Sequence, residues 1–322
     1  MAAWVLHAAL ALAAACPGQS APVQASHRVS VQENVETGSL RFAIDGREAF
    51  VYQFDTRFAL PHLWPLRSPT GRPLTVQKTE PFPHHRSIWF ADKVQLKDGP
   101  VTDFYHEWAN LRDKENPKAG HHSFIRHEKF TDLRCGEKKA RATAVLTWMV
   151  QEQIPVLAQS LHMELEDLGA GEYLLQLSWE WKAEFGPVKF HSDWVHYAWP
   201  FLRMDPKFSG EQGGTIEDDQ GRRGQKATNQ KYARWIDYSN TVDGVTEGLT
   251  VFVPDDGQKR KWLTREYGTF GPRRPDAFSG SRFTLQKGES LRGRVVLLVH
   301  QGNASSPQVR KQAARWCPTQ PQ

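Results

Sequence analysis

The chain has 322 residues, 39% of them hydrophobic and 11% aromatic, which is enough to build a substantial buried core. This length is long for one domain, but large all-β sandwiches and barrels reach it. The formal net charge of +5 is mild; it is compatible with anionic ligands and gives no reason to expect nucleic acid as a partner.

The N-terminus has the pattern of an export signal. An apolar run with a single histidine fills residues 2–15, and small-residue cleavage patterns follow, one before Cys16 and one before Ser26. The run is too short to span a bilayer. We therefore expect a cleaved signal peptide at 1–25 and a mature domain at 26–322 that is periplasmic or secreted. A lipoprotein anchored at Cys16 is the weaker alternative, because leucine stands one position away from the lipobox pattern.

Two cysteines remain after such a cleavage, Cys135 and Cys317. In an oxidising compartment they could form one disulfide, and as buried free thiols they would be equally consistent with the sequence. Neither has the spacing of a metal-binding cysteine pair.

The first part of the mature chain predicts β-hairpins. Residues 28–33, 39–44 and 48–54 read as strands, and Asp45-Gly46 between the second and third is a hairpin signal. Residues 60–66 are interrupted by prolines, which favours an irregular segment or an edge strand.

Two adjacent histidines and an arginine, His84, His85 and Arg86, precede a predicted buried strand at 87–91. Pro83 fixes its own φ, so the histidines follow a rigid turn. A polar cluster beside a rigid strand is a common way to build a site. The alternative is structural: one histidine ends a loop and the other is solvated.

Residues 92–122 have little periodicity and predict a long loop, which in a compact domain is usually functional or mobile. The loop carries polar and aromatic side chains suited to a site: Asp103, His106, Glu107, Trp108, His121 and His122.

The middle of the chain predicts antiparallel strands most clearly. Apolar and polar residues alternate with a strict period of two in 161–166 and 175–184, and Gly169-Ala170-Gly171 joins these runs. Residues 209–230 read as a surface loop. Residues 295–299 read as a fully buried strand.

Near the C-terminus, Ser306 and Pro307 provide an N-cap and a first-turn proline for a helix that ends at Trp316. Together these patterns predict an all-β protein, one large antiparallel β-sandwich with a single C-terminal helix.

Several motifs occur together in this sequence: Leu63-Trp64-Pro65-Leu66 with Ser68-Pro69-Thr70-Gly71, Pro83-His84-His85-Arg86-Ser87-Ile88-Trp89-Phe90-Ala91, Asp103-Phe104-Tyr105, Ala233-Arg234-Trp235-Ile236-Asp237-Tyr238, Tyr267-Gly268-Thr269-Phe270-Gly271 and Leu285-Gln286-Lys287-Gly288-Glu289-Ser290-Leu291. In this combination the chain resembles a family of secreted bacterial proteins labelled methane oxygenase PmoA-like, or domain of unknown function 6807. The resemblance runs from about residue 30 to 302. Phe82 stands where the family usually has histidine, and Tyr105 where it has tryptophan.

The resemblance implies a β-sandwich, which could be of the large kind seen in galactose-mutarotase-like proteins, and a carbohydrate setting. Methane oxidation is not implied. The methane-oxidising subunits of that name lie in a membrane, whereas this sequence has neither a spanning helix nor a helical Glu/His cluster for a di-metal oxidant.

The first functional hypothesis is an enzyme acting on a carbohydrate as a hydrolase, lyase or epimerase. His85 or His84 would be the general acid/base, beside Arg86, with Asp103 or Glu107 as its partner. Tryptophans could stack on the sugar, and arginines could bind a carboxylate or sulfate on it. The candidate substrate-binding residues are Trp89, His106, Trp108, Arg234, Trp235, Arg265 and Arg273. For Arg234 the structural alternative is an ion pair with Asp237.

Two alternatives remain open. A metal-dependent enzyme could use His84, His85, His121 and His122, although adjacent histidines on an extended segment point to opposite faces and each pair then supplies one ligand at most. No feature of the sequence requires a cofactor, and a divalent metal ion is the only cofactor for which it offers candidate ligands. The other alternative is a non-catalytic carbohydrate-binding module. The expected partner is a small-molecule or oligosaccharide ligand, and no oligomeric state is predicted.

Overall fold

The computed structural model describes residues 28–191, 198–278 and 283–318, and these form three antiparallel sheets. The predicted signal peptide at 1–25, with Cys16, lies outside the described residues. Export and the domain bounds of 26–322 therefore stay predictions. No helix in the described ranges combines the length and apolar character that crossing a bilayer requires.

The first sheet contains the predicted N-terminal hairpin, and Asp45 and Gly46 both adopt the positive φ that its turn requires. In spatial order its strands are β1 (Val29–Asn34), β2 (Ser39–Ile44), β3 (Arg47–Gln53), β4 (His62–Leu66), β5 (Ile88–Trp89), β13 (Phe201–Arg203), β18 (Thr269–Pro272) and β17 (Trp262–Thr264). The predicted strand at 87–91 is thus shorter than expected.

Strand β4 corrects the expectation of an edge or irregular segment for residues 60–66, because it pairs with β3 on one side and with β5 on the other. The sheet accommodates Pro65 because the register of β4 against β3 shifts between the pairs Tyr52–Leu63 and Phe50–Leu66, so Pro65 stands outside the regular ladder.

The second sheet contains the alternating strands that the sequence predicts. Leu161, Met163 and Leu165 are buried and lie opposite buried residues of the neighbouring strand. In spatial order its strands are β14 (Thr215–Asp218), β15 (Trp235–Val242), β16 (Val245–Phe252), β20 (Ser290–Gln301), β11 (Glu172–Lys182), β10 (Ile154–Gly169), β9 (Lys139–Val150) and β8 (Phe124–Arg134).

Two strands of the third sheet lie within residues 92–122, the segment that the sequence predicts as a loop. The strands of this sheet are β19 (Phe283–Leu285), β12 (Val188–Phe190), β6 (Lys93–Leu96) and β7 (Thr102–Asp103). The predicted surface loop at 209–230 likewise contains β14 and a five-residue helix, α1 (Gly224–Thr228). One-turn 3₁₀ helices lie at Glu107–Asn110, Pro117–Ala119, Pro206–Phe208, Gly210–Gln212 and Asp276–Phe278.

The predicted C-terminal helix is α2 (Pro307–Trp316), and the Ser306 hydroxyl accepts a hydrogen bond from the backbone N–H of Val309 as its N-cap. The prediction of an all-β antiparallel protein with one C-terminal helix is confirmed.

The first two sheets pack face to face. Phe90, next to β5, packs on Trp179 of the second sheet at a ring distance of 4.8 Å, and Phe270 of β18 packs on Tyr238 at 5.3 Å. Because side chains alternate along a strand, Trp89 and Thr269 point to the opposite face of the first sheet. That outer face carries the candidate site.

Cys135 and Cys317 are both free thiols. The sulfur of Cys135 accepts a hydrogen bond from the Val31 backbone at 3.3 Å, and the buried Cys317 thiol faces the carbonyl oxygens of Arg234 and Val253. Of the two alternatives that the sequence left open, the disulfide is therefore not formed.

Candidate functional site

The candidate site lies at one end of the first sheet. Neighbouring antiparallel strands run in opposite directions, so β5 begins, β13 ends and β18 begins at the same end. His85 shortly precedes β5, Arg203 ends β13 and Thr269 begins β18. Residues almost two hundred positions apart in the chain therefore meet here. We call the region around His84, His85, Tyr105, His106 and Trp108 the histidine site.

The base of the histidine site is a layer of stacked aromatic rings. Trp89 and Phe201 stack at 5.0 Å with an interplanar angle of 17°, and Tyr105 lies 4.8 Å from Phe201. The ring of His85 lies 5.4 Å from Trp89. Trp89 is 1% exposed, so its predicted role of stacking on a ligand is wrong: it forms part of the core beneath the site.

The two adjacent histidines lie in a turn and not on an extended segment. The backbone N–H of His85 donates to the carbonyl of Phe82 at 2.9 Å, which closes a turn with Pro83 at its second position, where proline is favoured. The rings of His84 and His85 are consequently only 4.6 Å apart. The expectation that they point to opposite faces is corrected.

His85 is engaged on both sides of its ring. Nε2 lies 2.8 Å from the Tyr105 hydroxyl and Nδ1 lies 3.3 Å from the Thr269 hydroxyl. The side chain is 2% exposed, and burial, with the nearby charges of His84 and Arg203, lowers its pKa to about 2. A neutral ring with both nitrogens occupied positions Tyr105 and does not exchange protons with a ligand. This geometry does not support the predicted acid/base role of His85.

His106 has the geometry that the sequence analysis assigned to His84 or His85. Its Nδ1 lies 2.9 Å from Oδ2 of Asp103. Oδ1 of Asp103 accepts hydrogen bonds from the backbone N–H groups of Tyr105 and His106, and Lys93 Nζ lies 3.5 Å from Oδ2. Burial acts to raise the pKa of Asp103, but these hydrogen bonds and the charges of His106 and Lys93 outweigh it and lower the pKa.

An ionised Asp103 makes Nδ1 of His106 the protonated nitrogen and leaves the lone pair of the neutral ring on Nε2. Nothing in the described ranges hydrogen-bonds to Nε2, and the His106 side chain is 30% exposed. The His84 ring, 4.9 Å away, has its pKa lowered to about 4 by burial and by the charges of His106 and Arg86. The arrangement can accept a proton at Nε2 and stabilise the resulting imidazolium.

Glu107 pairs with Arg86 and not with a histidine. Arg86 is almost fully buried, donates from Nη2 to Oε1 of Glu107, and donates from Nη1 to the carbonyl of Pro83 at 3.1 Å. This pair fixes the turn that carries the histidines. It is therefore a positioning pair, and Glu107 is not the partner of His84 or His85 as predicted.

The second histidine pair lies next to this ion pair. Burial lowers the pKa of His121, and the charge of Glu107 opposes this while that of Arg86 adds to it. The neighbouring His122 points its Nδ1 to the Ser123 hydroxyl at 3.0 Å. Across the three described ranges, no group of three or more His, Cys, Asp or Glu side chains is placed to hold a metal ion.

Trp108 is the exposed aromatic of the site. Its side chain is 52% exposed and its ring lies 5.7 Å from His106. An exposed indole face beside an oriented imidazole provides an apolar surface next to a proton acceptor. Of the three predicted stacking tryptophans, Trp108 alone meets this description.

Arginines border the site on the side of β13 and β17. Arg203, which the sequence analysis did not single out, is 3% exposed and its guanidinium lies over the ring of Tyr267 at 4.6 Å. Arg265 follows β17, and its Nη1 donates to the carbonyl of Thr264 at 3.0 Å. A charged residue ending the apolar strand Phe201–Arg203 was the signal that could have identified Arg203.

Arg273 lies at the other end of β18, and its Nε donates to the carbonyl of Trp262 at 3.4 Å. Burial and the like charge of Arg265 lower its pKa to about 10.

Arg234 and Trp235 lie outside the histidine site. Arg234 pairs with Asp219 at 2.9 Å and donates to the carbonyl of Cys317, and Trp235 packs in a separate apolar cluster with α2. Asp237 pairs with His300, so the alternative of an Arg234–Asp237 ion pair is also wrong. Since consecutive residues of a strand point to opposite faces, Trp235 and Asp237 share one face and Arg234 takes the other.

Residues 39–314 match the model of a family of unknown function, DUF6807. This chain belongs to DUF6807. The description of that family carries no methane-related label, and no curated protein matches the sequence of this DUF6807 protein.

Solved structures show similarity at low sequence identity. An α-galactosidase of glycoside hydrolase family 36 from Geobacillus stearothermophilus is 12% identical with a TM-score of 0.45, covering 83% of this chain and 40% of that chain. An α-galactosidase from Lactobacillus brevis is 10% identical with a TM-score of 0.43, covering 90% and 41%. A galactose 1-epimerase from Lactobacillus acidophilus NCFM is 10% identical with a TM-score of 0.39, covering 86% and 100%. The DUF6807 chain thus spans about two fifths of the length of these α-galactosidase chains.

Proposed function

We propose that this DUF6807 protein is an enzyme that transfers protons to and from a carbohydrate bound at the histidine site. The observation that carries the proposal is the pair of His106 and Asp103: an imidazole oriented by a carboxylate 2.9 Å from Nδ1, with no hydrogen bond from the described residues to Nε2. Histidine is the side chain that most often acts as the general acid/base in enzymes.

In the proposed reaction, Nε2 of His106 accepts a proton from a sugar hydroxyl or from an acidic carbon–hydrogen bond. The imidazolium that forms carries the proton, and Asp103 stabilises its positive charge. The same Nε2–H then returns the proton to the ring oxygen or to another position of the sugar. The net result is an isomerisation, or an elimination if a leaving group departs instead.

This arrangement fits an epimerase or lyase better than a hydrolase with two carboxylates. That type of glycoside hydrolysis needs one carboxyl group as the acid and a second as the nucleophile or base. Here Asp103 is held by His106 and Lys93, and Glu107 is held by Arg86. Neither carboxylate is placed to attack or to activate water.

The carbohydrate part of the proposal rests on Trp108. An indole face that is 52% exposed can pack against the C–H face of a sugar ring, and His106, 5.7 Å away, then faces the hydroxyl groups at the rim of that ring. An aromatic surface beside a few oriented polar groups is a common feature of small-molecule sites.

The test is a panel of monosaccharides and disaccharides offered to the purified protein. Binding is measured by calorimetry, and proton transfer by NMR exchange between anomers and by deuterium incorporation in D₂O. The proposal expects a sugar that binds and exchanges with the wild type, and binds without exchanging with His106→Ala. The matched control is His162→Ala, because His162 lies far from the site on β10 beside Thr143.

Two results would contradict the proposal. Exchange that survives in His106→Ala would assign the chemistry to another group. A sugar that binds the wild type and never exchanges would make this DUF6807 protein a carbohydrate-binding module.

Export to the periplasm or medium and a single domain at 26–322 are also proposed, on the pattern of residues 1–25 and the absence of a linker pattern in the sequence. The mass of the mature protein recovered from each cellular fraction tests both the cleavage site and the compartment.

A further inference from the structure

We propose that the carbohydrate bound at the histidine site is an acid sugar, whose carboxylate binds between Arg203 and Arg265. The inference rests on the proposed function and adds to it the class of substrate. It starts from an arginine that is buried without an acidic partner among the described residues.

Arg203 is 3% exposed, and its contacts satisfy only part of its guanidinium. Nη1 donates to the carbonyl of Tyr267, and the planar group lies 4.6 Å from the centre of the Tyr267 ring. Nε is buried and has no partner among the described residues, and Nη2 makes no hydrogen bond to them either. No carboxylate in the described ranges lies within ion-pair distance of it, whereas buried arginines are normally paired.

Arg265 is the second cation of the pair. It is partly exposed, and its Nη1 makes one hydrogen bond, to the carbonyl of Thr264. It also has no ion-pair partner among the residues that the structure describes. Both arginines lie close enough to Tyr105 for their charges to act on the pKa of its phenol, which burial raises. In the strand register Arg203 pairs with Thr269 from one side, and the pair of Thr264 with Phe270 places Arg265 beside Thr269 from the other. Both arginines therefore flank the residue whose hydroxyl contacts His85.

The described carboxylates around the two arginines make other contacts. The nearest carboxylates are already engaged: Asp103 with His106, and Glu266 with the backbone N–H of Gln225 at 2.6 Å. Glu211 acts on Arg203 only as a more distant charge.

A sugar carboxylate fits this arrangement better than a neutral group. A guanidinium presents parallel N–H donors that match the two oxygens of a carboxylate, and such a charge-assisted pair gains strength where solvent is excluded. With the carboxylate between the arginines, the ring would extend across Tyr105 towards His106 and Trp108. An acid sugar also has an acidified carbon–hydrogen bond next to its carboxylate, which suits a proton acceptor at His106.

The test uses ligand pairs that differ only in charge: D-galacturonate and D-glucuronate against their methyl esters. Binding to the mature protein is measured by calorimetry at 50 and 500 mM salt. The inference expects each acid to bind at least about tenfold more tightly than its ester at low salt, with a smaller difference at high salt. In Arg265→Gln most of that preference should be lost, while the esters keep their affinity.

Arg292→Gln is the matched control, because Arg292 is an exposed arginine on β20 that pairs with Glu180. Arg203→Lys keeps a positive charge at the buried position and removes the bidentate geometry; it should reduce the preference for the acids even though the protein folds.

Each other outcome is decisive. If acids and esters bind equally, the inference fails and the proposed function stands. If the preference survives both Arg265→Gln and Arg203→Lys, the carboxylate is bound elsewhere and the inference fails. If acetate and glutarate bind as tightly as the uronates, the arginine pair is an anion site and the proposed carbohydrate function fails. If none of these ligands binds but a neutral sugar of the panel does, the inference alone fails; if no sugar of the panel binds either, both fail.

Discussion

Asp103 accepts two hydrogen bonds from His106, one from the ring Nδ1 at 2.9 Å and one from the backbone N–H at 3.1 Å. The backbone contact fixes the carboxylate against the chain, and the side-chain contact fixes the ring against the carboxylate. The orientation of the imidazole is thus set within four residues of sequence. Lys93 Nζ, 3.5 Å from Oδ2, and the His84 ring, 4.9 Å from the His106 ring, add contacts from other segments.

Asp103→Asn should therefore disable the site without unfolding the protein. The asparagine oxygen can still accept from the backbone N–H groups, but the amide N–H₂ would face Nδ1 and favour the tautomer with its proton on Nε2. We expect turnover to fall by about 10²–10⁴-fold, the usual contribution of a general acid/base, with sugar affinity nearly unchanged. Steady-state kinetics and calorimetry on the sugar identified by the panel measure the two effects separately.

Asp132→Asn is the control for that experiment, since Asp132 pairs with Arg134 and Arg141 on the exposed face of β8. A loss of affinity as large as the loss of turnover in Asp103→Asn would mean that Asp103 binds the ligand, and the positioning role would be wrong.

His127→Phe should stabilise the protein at acidic pH. The His127 ring packs between Phe54 at 4.4 Å and Phe130 at 4.3 Å, and its Nδ1 is buried with no partner among the described residues. Burial lowers its pKa to about 4. The neutral ring therefore contributes stability that is fully present above pH 6.5 and is lost as the pH falls towards 4.

Phenylalanine has no proton to take up, so the gain in unfolding free energy should be larger at pH 5 than at pH 7.5, by about 1–2 kcal/mol. Urea unfolding of both proteins at the two pH values measures this difference. His162→Phe, at a position on β10 facing Thr143, is the control. An equal gain at both pH values would show that packing alone, and not protonation, is changed.

The sequence was sufficient to predict the elements whose signals are local. Period-two alternation predicts β10 and β11, and the Ser306-Pro307 pair predicts the start of α2. The orientation of His106 also has a local signal, because an aspartate three residues earlier can accept from both the backbone and the ring. The adjacent histidines His84 and His85 are the more conspicuous signal in the sequence, but the turn at Pro83 brings their rings to within 4.6 Å of each other.

The remainder of the site depends on which strands are neighbours. His85, Arg203 and Thr269 meet only because β5, β13 and β18 lie side by side, and no pattern within any one of these short strands specifies that order. Whether a side chain is buried also depends on residues that are distant in the sequence. Trp89 and Trp108 are the same residue type in aromatic segments, yet one is a core residue and the other is half exposed.

The two thiols should differ in reactivity. Cys135 is partly exposed at the edge of β1, whereas Cys317 is buried beneath Arg234, and burial raises its pKa to about 12. A thiol reagent added to the folded mature protein should label Cys135 and leave Cys317 unmodified until denaturant is added. Mass spectrometry of Cys135→Ser and Cys317→Ser assigns the label. A mass two units lower without reductant, with no labelling after unfolding, would mean that a disulfide forms.

The pair of Asp237 and His300 should be the electrostatic interaction most important for stability in the second sheet. Both side chains are fully buried, with His300 Nε2 2.7 Å from Asp237 Oδ1. Ser239 and Thr250 donate hydroxyl hydrogen bonds to the same carboxylate. Asp237→Ala removes the carboxylate that His300, Ser239 and Thr250 all contact. Loss of one partner of such a buried pair typically lowers the free energy of unfolding by about 3–5 kcal/mol.

The pH dependence of the same pair separates its charge from its packing. Burial acts to lower the pKa of His300, but the charge and hydrogen bond of Asp237 outweigh it and raise the pKa. A raised histidine pKa contributes stability that is fully present below about pH 6.5 and is lost as the pH rises through the folded value. Asp237→Asn should therefore lose more stability at pH 6 than at pH 9. Chemical unfolding at both pH values measures this, and a loss that is independent of pH would mean that the pair is stabilised by hydrogen bonding between neutral groups.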